Sequence, residues 1–258
     1  MNGALQFEFV QETILGAVRL VDAVTGGRLS DPVQVVAPDL TLRRKSNGDF
    51  LIMAAAGLTP APGRDYPIDV RPASAAYSAR RGMLRLPRDA DPANMANANS
   101  LFQPALIAML PAPSYPTGSH LALLRVTVRR STDQARIGNA LVRLASGRPD
   151  VPNGRALTDA TGEALVVVAG IPLASPGPGA TVVGDIGVNI DALVDPAIAT
   201  FAADTDLDAA RAAARVQTTG FPDPDDIEAR LAAAAPAPAP VRLAAGGINF
   251  ANLAWTPV

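Results

Sequence analysis

Two acidic clusters lie late in the chain, Asp204-Thr-Asp-Leu-Asp and Asp223-Pro-Asp-Asp-Ile-Glu. Carboxylates at alternate positions are how a calcium loop opens. An EF-hand loop counted from Asp204 would need Gly at its sixth position and Glu at its twelfth. Ala209 and Arg215 stand there instead. Both clusters also fit the first turn of a helix, where free N–H groups and the dipole favour acids. Asp223, Asp225, Asp226 and Glu228 keep two further roles open, as oxygen ligands for calcium or as the acids of an enzyme. Asp225→Asn and Asp226→Asn would test the latter.

Other reactive constellations are thin. The single His, His120, follows Ser119, but a hydrolytic triad needs a converging carboxylate and a positioned nucleophile, and no nucleophile-elbow sequence is present. With no Cys there is no disulfide and no thiolate metal site; with one His, a zinc site would need at least two carboxylates. Gly177-Pro-Gly179 and Gly184-Asp-Ile-Gly187 lack the Lys-Ser/Thr that follows a phosphate loop. A paired-carboxylate glycosidase stays open on the residues, although one Trp and three Tyr offer a sugar little stacking surface. We therefore assign no catalytic, cofactor or metal residue. The residues expected to meet a partner are Trp255, Phe250, Asn249 and Tyr115, with Trp255 read as either a core plug or an interface anchor.

The elements that would carry these residues read as strands. In Arg125 to Arg129, Val126 and Val128 alternate with Arg and Thr; Ala140, Val142 and Leu144 alternate with Leu141 and Arg143. Successive side chains of a strand point to opposite faces, so this is the pattern of a half-buried strand. Asp159-Ala-Thr-Gly162 supplies a turn before Glu163–Val168. An earlier stretch has the same order of parts: a strand from Val18, a turn-rich arm, a strand from Val33, then Ser46-Asn-Gly-Asp before Phe50-Leu-Ile-Met. Two such units are too few for a solenoid and fit two sandwich domains in tandem; chance similarity of alternating strands is the competing reading. Asn47-Gly48 predicts a hairpin with a type I′ turn.

Ala140, Val142 and Leu144 followed by Thr158-Asp159-Ala160-Thr161-Gly162 resemble the carboxypeptidase regulatory-like family. Its pattern is "A-x-V-x-L" and then "T-D-x-x-G" before a further strand. The resemblance covers the stretch from Leu121 to Val168 and, more loosely, residues 18 to 70. It implies a small transthyretin-type β-sandwich that serves as a rigid accessory or adhesive module without a shared active site. One departure is that a Pro/Gly-rich loop, Ile171 to Gly179, follows Val168 where the family has "P-G-x-Y".

The 258 residues can hold one large or two ordinary domains, and 48% hydrophobic content argues against global disorder. Aromatics are only 4%, so cores must be built from small side chains. Net charge is −2 and Lys45 is the sole lysine, which leaves no basic excess to hold a nucleic-acid backbone. Arg43-Arg44-Lys45, Arg80-Arg81 and Arg129-Arg130 read as solvated strand ends or turns. No basic region precedes an apolar run near Met1, and no stretch reaches the roughly 18 apolar residues of a membrane span. The expectation is cytoplasmic synthesis without a signal peptide, and no membrane insertion.

The resulting organisation is mainly β: a first β-sandwich module over 1–90, and a Pro/Asn/Ala-rich linker over 91–118 whose strand, Ala105 to Leu110, could equally close the first sandwich. A second transthyretin- or Ig-like module covers 119–203, with possible further strands at Thr181–Val183 and Val188–Leu193. A helical segment covers 204–235, and 236–258 holds a Pro-Ala spacer and terminal strands. Pro236 to Pro240 should stiffen and extend a last hairpin or strand pair beyond the body, so that deleting Pro236 to Val258 would weaken assembly and leave the modules folded. The function expected is a non-enzymatic scaffold or adaptor that binds proteins within an oligomer or larger assembly. Leaderless and Ala/Pro/Arg-rich, it looks like an accessory or decoration subunit of a phage-tail-like or contractile injection particle. The alternative is a carbohydrate- or surface-binding module.

Overall fold

The computed structural model describes residues 13–54, 63–118, 121–169, 185–244 and 246–257. The readings placed on Ser119-His120, Gly177–Gly179, Thr181–Val183, Gly184 and the stretch before residue 13 lie outside them. Among the described residues strand accounts for 47% and helix for 11%, which establishes a mainly β class with short helices near the C-terminus. Among the described residues no helix is long and apolar enough to cross a membrane.

Seven strands come first: β1 (Ile14–Asp22), β2 (Val33–Val36), β3 (Leu40–Arg44), β4 (Phe50–Ala54), β5 (Arg64–Pro72), β6 (Arg80–Leu86) and β7 (Ala105–Met109). They form sheets in the orders β3-β4-β1-β7 and β2-β5-β6. Next come β8 (Ala122–Arg130), β9 (Arg136–Gly138), β10 (Leu141–Ala145), β11 (Gly154–Leu157), β12 (Glu163–Val168), β13 (Asp185–Leu193) and β14 (Thr200–Ala202). Helices α1 (Leu207–Val216) and α2 (Pro224–Leu231) precede β15 (Ala239–Ala244) and β16 (Ile248–Trp255). These strands form the orders β12-β8-β9-β14, with β16 also on β8, and β11-β10-β13-β15.

The repetition seen in sequence continues into pairing. β1 and β8 each pair antiparallel with the strand that follows a Gly turn, β4 and β12. β2 and β10 each pair antiparallel with the next long strand, β5 and β13. The arrangements part at the strand before the turn, because β3 returns on β4 whereas β11 pairs with β10. The two turns share their main-chain bonds: Lys45 N to Asp49 O with Gly48 N to Lys45 O, and Asp159 N to Glu163 O with Gly162 N to Asp159 O. Gly48 and Gly162 take φ of 86° and 71°. Asn47 does not have a positive φ, so the hairpin is real but its turn is a type I turn closed by a left-handed Gly, not type I′. At Gly162 a Cβ would also sit 2.8 Å from the Arg136 Cβ and 2.9 Å from the Ile137 N.

By compactness the chain divides into Met1–Arg19, Ala37–Pro67 and Met83–Leu106 as one unit, and Leu20–Val36, Ile68–Gly82 and Ile107–Val258 as the other. The division cuts through β1, β5, β6 and β7. In the first unit Leu15, Val18, Phe50, Ile52, Tyr66, Leu84 and Leu86 are buried.

The second unit holds a two-layer core. Leu124, Val126 and Val128 of β8 and Ala164, Val166 and Val168 of β12 pack with Val142 and Leu144 of β10, Val188 and Ile190 of β13, and Leu243 of β15. Alternate residues of the same strands look outward: Leu123, Leu165 and Val167 meet Tyr115 and Leu121, while Leu141, Leu157 and Leu193 meet Leu110 and Ile227 of α2. Period two thus serves both faces of each sheet.

The C-terminal strands depart from expectation. They are not a hairpin: β15 closes one sheet on β13, antiparallel, and β16 lies in the other sheet, parallel to β8 along its whole length. Pro240 is not part of a spacer either. Ala239 and Pro240 open β15 opposite Ile190 and Asn189. Proline is tolerated there because β15 is an edge strand, whose outward side needs no ladder N–H. Removing everything from Pro236 would strip one strand from each of the two sheets of the second unit, so the structure contradicts the expectation that both modules survive this deletion.

Candidate functional site

The acids around α2 are built into the fold. Asp223 is the N-cap, accepting from Asp225 N at 3.0 Å and Asp226 N at 3.4 Å, with Pro224 in the first turn. Arg80, 1% exposed, donates to Ala108 O at 2.8 Å and Asp225 Oδ2 at 2.6 Å, and lies 3.6 Å from Asp223. Arg155 bonds both Asp225 and Glu228 at 2.9 Å. Glu228 lies 3.4 Å from Arg143, which holds Asp191 at 2.7 Å. Arg230 joins Asp226 at 2.7 Å and Asp195 at 2.5 Å. Every acid of the cluster therefore faces a guanidinium.

Burial pushes the Asp225 carboxyl up, but Arg80 and Arg155 outweigh it and hold the group below its ordinary value. Burial wins at Asp223, which is raised. Among the described residues no group of three or more such side chains is arranged to hold a metal ion. The chemistry this cluster performs is capping and cross-bracing.

Arg80-Arg81 does not form a solvated strand end or turn: Arg80 is buried, and Arg81 bonds Asp69 at 2.8 and 3.0 Å. No periodicity marks an arginine that a distant helix start will claim. The only hint was that α2 has more acids than capping needs. In the first cluster the helix begins at Leu207 with Asp206, which makes no capping bond, before it. Asp204 is taken by Arg129 and Arg136 instead.

A cleft of about 480 Å³ in the second unit is lined by Arg71, Ser74, Tyr77, Asp159, Arg215 and Phe221 among others. Much of its polar lining is already engaged. Arg71 donates to the carbonyls of Arg215 and Gln217 at the end of α1, Ser74 to Asp31, and Asp159 accepts from Thr161 and Glu163. Tyr77 donates to Asp22 Oδ2 at 3.1 Å, sharing it with Tyr115 at 2.7 Å. Burial first and Asp22 second raise both phenols, Tyr77 to about 12. Of the two rings that line the cleft, Phe221 is buried and Tyr77 half-buried.

The sequence-predicted contact residues separate. Tyr115 is not a surface residue; it is buried and its hydroxyl is spent on Asp22. Trp255 packs its ring against the sandwich core, 6.4 Å from Phe201, and is half-buried. Asn249 is half-buried and donates to Leu123 O at 3.3 Å. Phe250 is 74% exposed. Three of them lie on β16, whose odd residues Asn249, Ala251, Leu253 and Trp255 are half-buried while Ile248, Phe250, Asn252 and Ala254 are exposed.

The other side of β16 has no strand on it among the described residues. The bonds Leu123 N to Gly247 O and Ser131 N to Trp255 O place the inward main-chain groups on odd-numbered residues. In a parallel ladder the even residues then aim N–H and C=O away from β8. The result is an eight-residue strand with an open edge, no charge and no proline.

No family model and no curated protein matches the chain. Among solved structures, a mutant of the shaft pilin spaA from Lactobacillus rhamnosus GG aligns over 86% of this chain and 68% of its own at 11% identity. Its TM-score is 0.21.

Proposed function

We propose that this chain is a non-catalytic structural or adaptor subunit that binds other proteins through its sheet edges, built from two modules of carboxypeptidase regulatory-like type. One observation carries the reading: the titratable cluster richest in acids is saturated by Arg80, Arg143, Arg155 and Arg230, whereas β16 leaves a row of main-chain groups without partners among the described residues. An open edge is a template for another strand, and proteins that do not use such an edge usually blunt it. Within this class, the small-residue cores, the tandem arrangement and the Ala/Pro/Arg-rich composition support an accessory or decoration component of a phage-tail-like or contractile injection particle.

Native purification followed by mass spectrometry tests both levels. Recovery at fixed stoichiometry in a large regular particle is expected. A chain recovered alone that turns over a substrate, with turnover lost in Asp225→Asn, would overturn the reading. Binding to immobilised glycans by the isolated chain would replace it with a surface-binding module.

A further inference from the structure

We infer that the open edge of β16 receives β16 of a second copy of this chain, antiparallel and about a two-fold axis, so that two of its sheets become continuous. The inference deepens the assembly reading above and rests on it for the role of the edge.

Three features of β16 argue for a second copy. First, Ile-Asn-Phe-Ala-Asn-Leu-Ala-Trp carries no charge, so a two-fold pairing sets no like charges against each other. The other C-terminal edge differs, because Pro240 and Arg242 sit on β15, and both are devices that discourage edge pairing. Second, the outward residues are self-complementary. When Phe250 faces Asn252 of the second copy, Ile248 faces its Ala254, and the symmetric half repeats both pairs. Bulky residues then meet small ones throughout, as an isologous interface requires. This register uses all the outward even residues and closes about eight main-chain hydrogen bonds. Third, Phe250 and Ile248, at 74% and 53% exposed, stand on one face of the strand. In the paired sheet the two Phe250 rings become diagonal neighbours, within reach of each other. The register of β16 on β8 places Arg125 beside Phe250, so a charged residue borders this apolar strip on the β8 side.

The full chain has no cysteine, which makes a register test free of background. Sedimentation velocity over a wide concentration range should show a monomer–dimer equilibrium. Phe250→Lys combined with Asn252→Lys, which sets lysine opposite lysine, should weaken it at least tenfold with the circular dichroism spectrum unchanged. Phe102→Lys, at another exposed aromatic, should leave it unaltered. Under mild oxidation, a mixture of the Phe250→Cys and Asn252→Cys chains should form a mixed disulfide dimer, and each chain alone should not, because each cysteine then faces its own copy only diagonally.

A monomer at every concentration overturns the inference, as does a dimer indifferent to the double lysine variant or equally lost with Phe102→Lys. Cross-linking of either single variant as readily as the mixture overturns the register. A chain that is monomeric alone but still recovered at fixed stoichiometry with another protein would sink this inference and leave the proposed function intact.

Discussion

The start of helix α2 and the outer edge of β16 present the same problem, main-chain and side-chain polar groups at the boundary of a regular element, and resolve it in opposite ways. At α2 the free N–H groups of the first turn go to Asp223, and the surplus acids go to arginines from β6, β10, β11 and the helix itself. At β16 the inward groups go to β8, and nothing in the described chain takes the outward ones. β15 stands between: it too is an edge, but Pro240 removes a donor and Arg242 adds an exposed charge. The contrast teaches where to look for function in a molecule with few reactive side chains. Charged clusters draw attention in sequence, but here they are structural, whereas the uncharged edge is what remains unsatisfied.

The sharpest way to break the comparison is at Arg80. Arg80→Ala takes from the buried Asp223 its ion-pair partner and should cost on the order of 3–5 kcal/mol in urea unfolding; an unchanged midpoint would mean that α2 is not held by this pair. Leu243→Ala, on the core side of β15, should cost about 2–5 kcal/mol through the cavity it leaves. That result would separate β15, an edge integral to the core, from the outward side of β16.

A smaller effect concerns pH. Asp225 is held below its ordinary value by Arg80 and Arg155, and Asp195 by Arg230. Groups with depressed folded values contribute stability above the unfolded carboxylate range and lose it as pH falls through the folded value. The thermal midpoint should therefore drop below about pH 4. Asp225→Asn should flatten that decline. Asp223, raised by burial, works in the opposite sense, so Asp223→Asn should steepen it. The smallest expected change is Phe250→Ser, within about 0.5 kcal/mol of the parent, because the ring is solvated in the single chain. A larger loss would show that Phe250 is a core residue after all.

Much of the second module was legible residue by residue. Glu163–Val168 is a strand over its full expected length. Asp223 and Pro224 begin α2 as their types demand. Thr158 and Asp159, the heart of the short motif, prove to be anchors. The Thr158 hydroxyl donates to Ile137 O at 2.7 Å and accepts from Ala140 N at 2.8 Å. Asp159 Oδ1 collects Thr161 N, Thr161 Oγ1 and Glu163 N. These features are local, spanning a turn or one strand. Four readings failed for the same reason: the hairpin reading of the tail, the spacer reading of Pro240, the solvated reading of Arg80 and the surface reading of Tyr115. Each depended on which distant segment would arrive alongside.

What the amino-acid order alone determined is the alternation of faces, the positions of turns and caps, and the poverty of reactive groups, because those follow from the geometry of a few consecutive peptide units and from composition. Tertiary structure decided which strands would be interior and which would be edges, and which charges would be neutralised. A strand carries hydrogen-bonding groups on both sides whatever its sequence, and only long-range pairing reveals that β16 keeps one of those sides open.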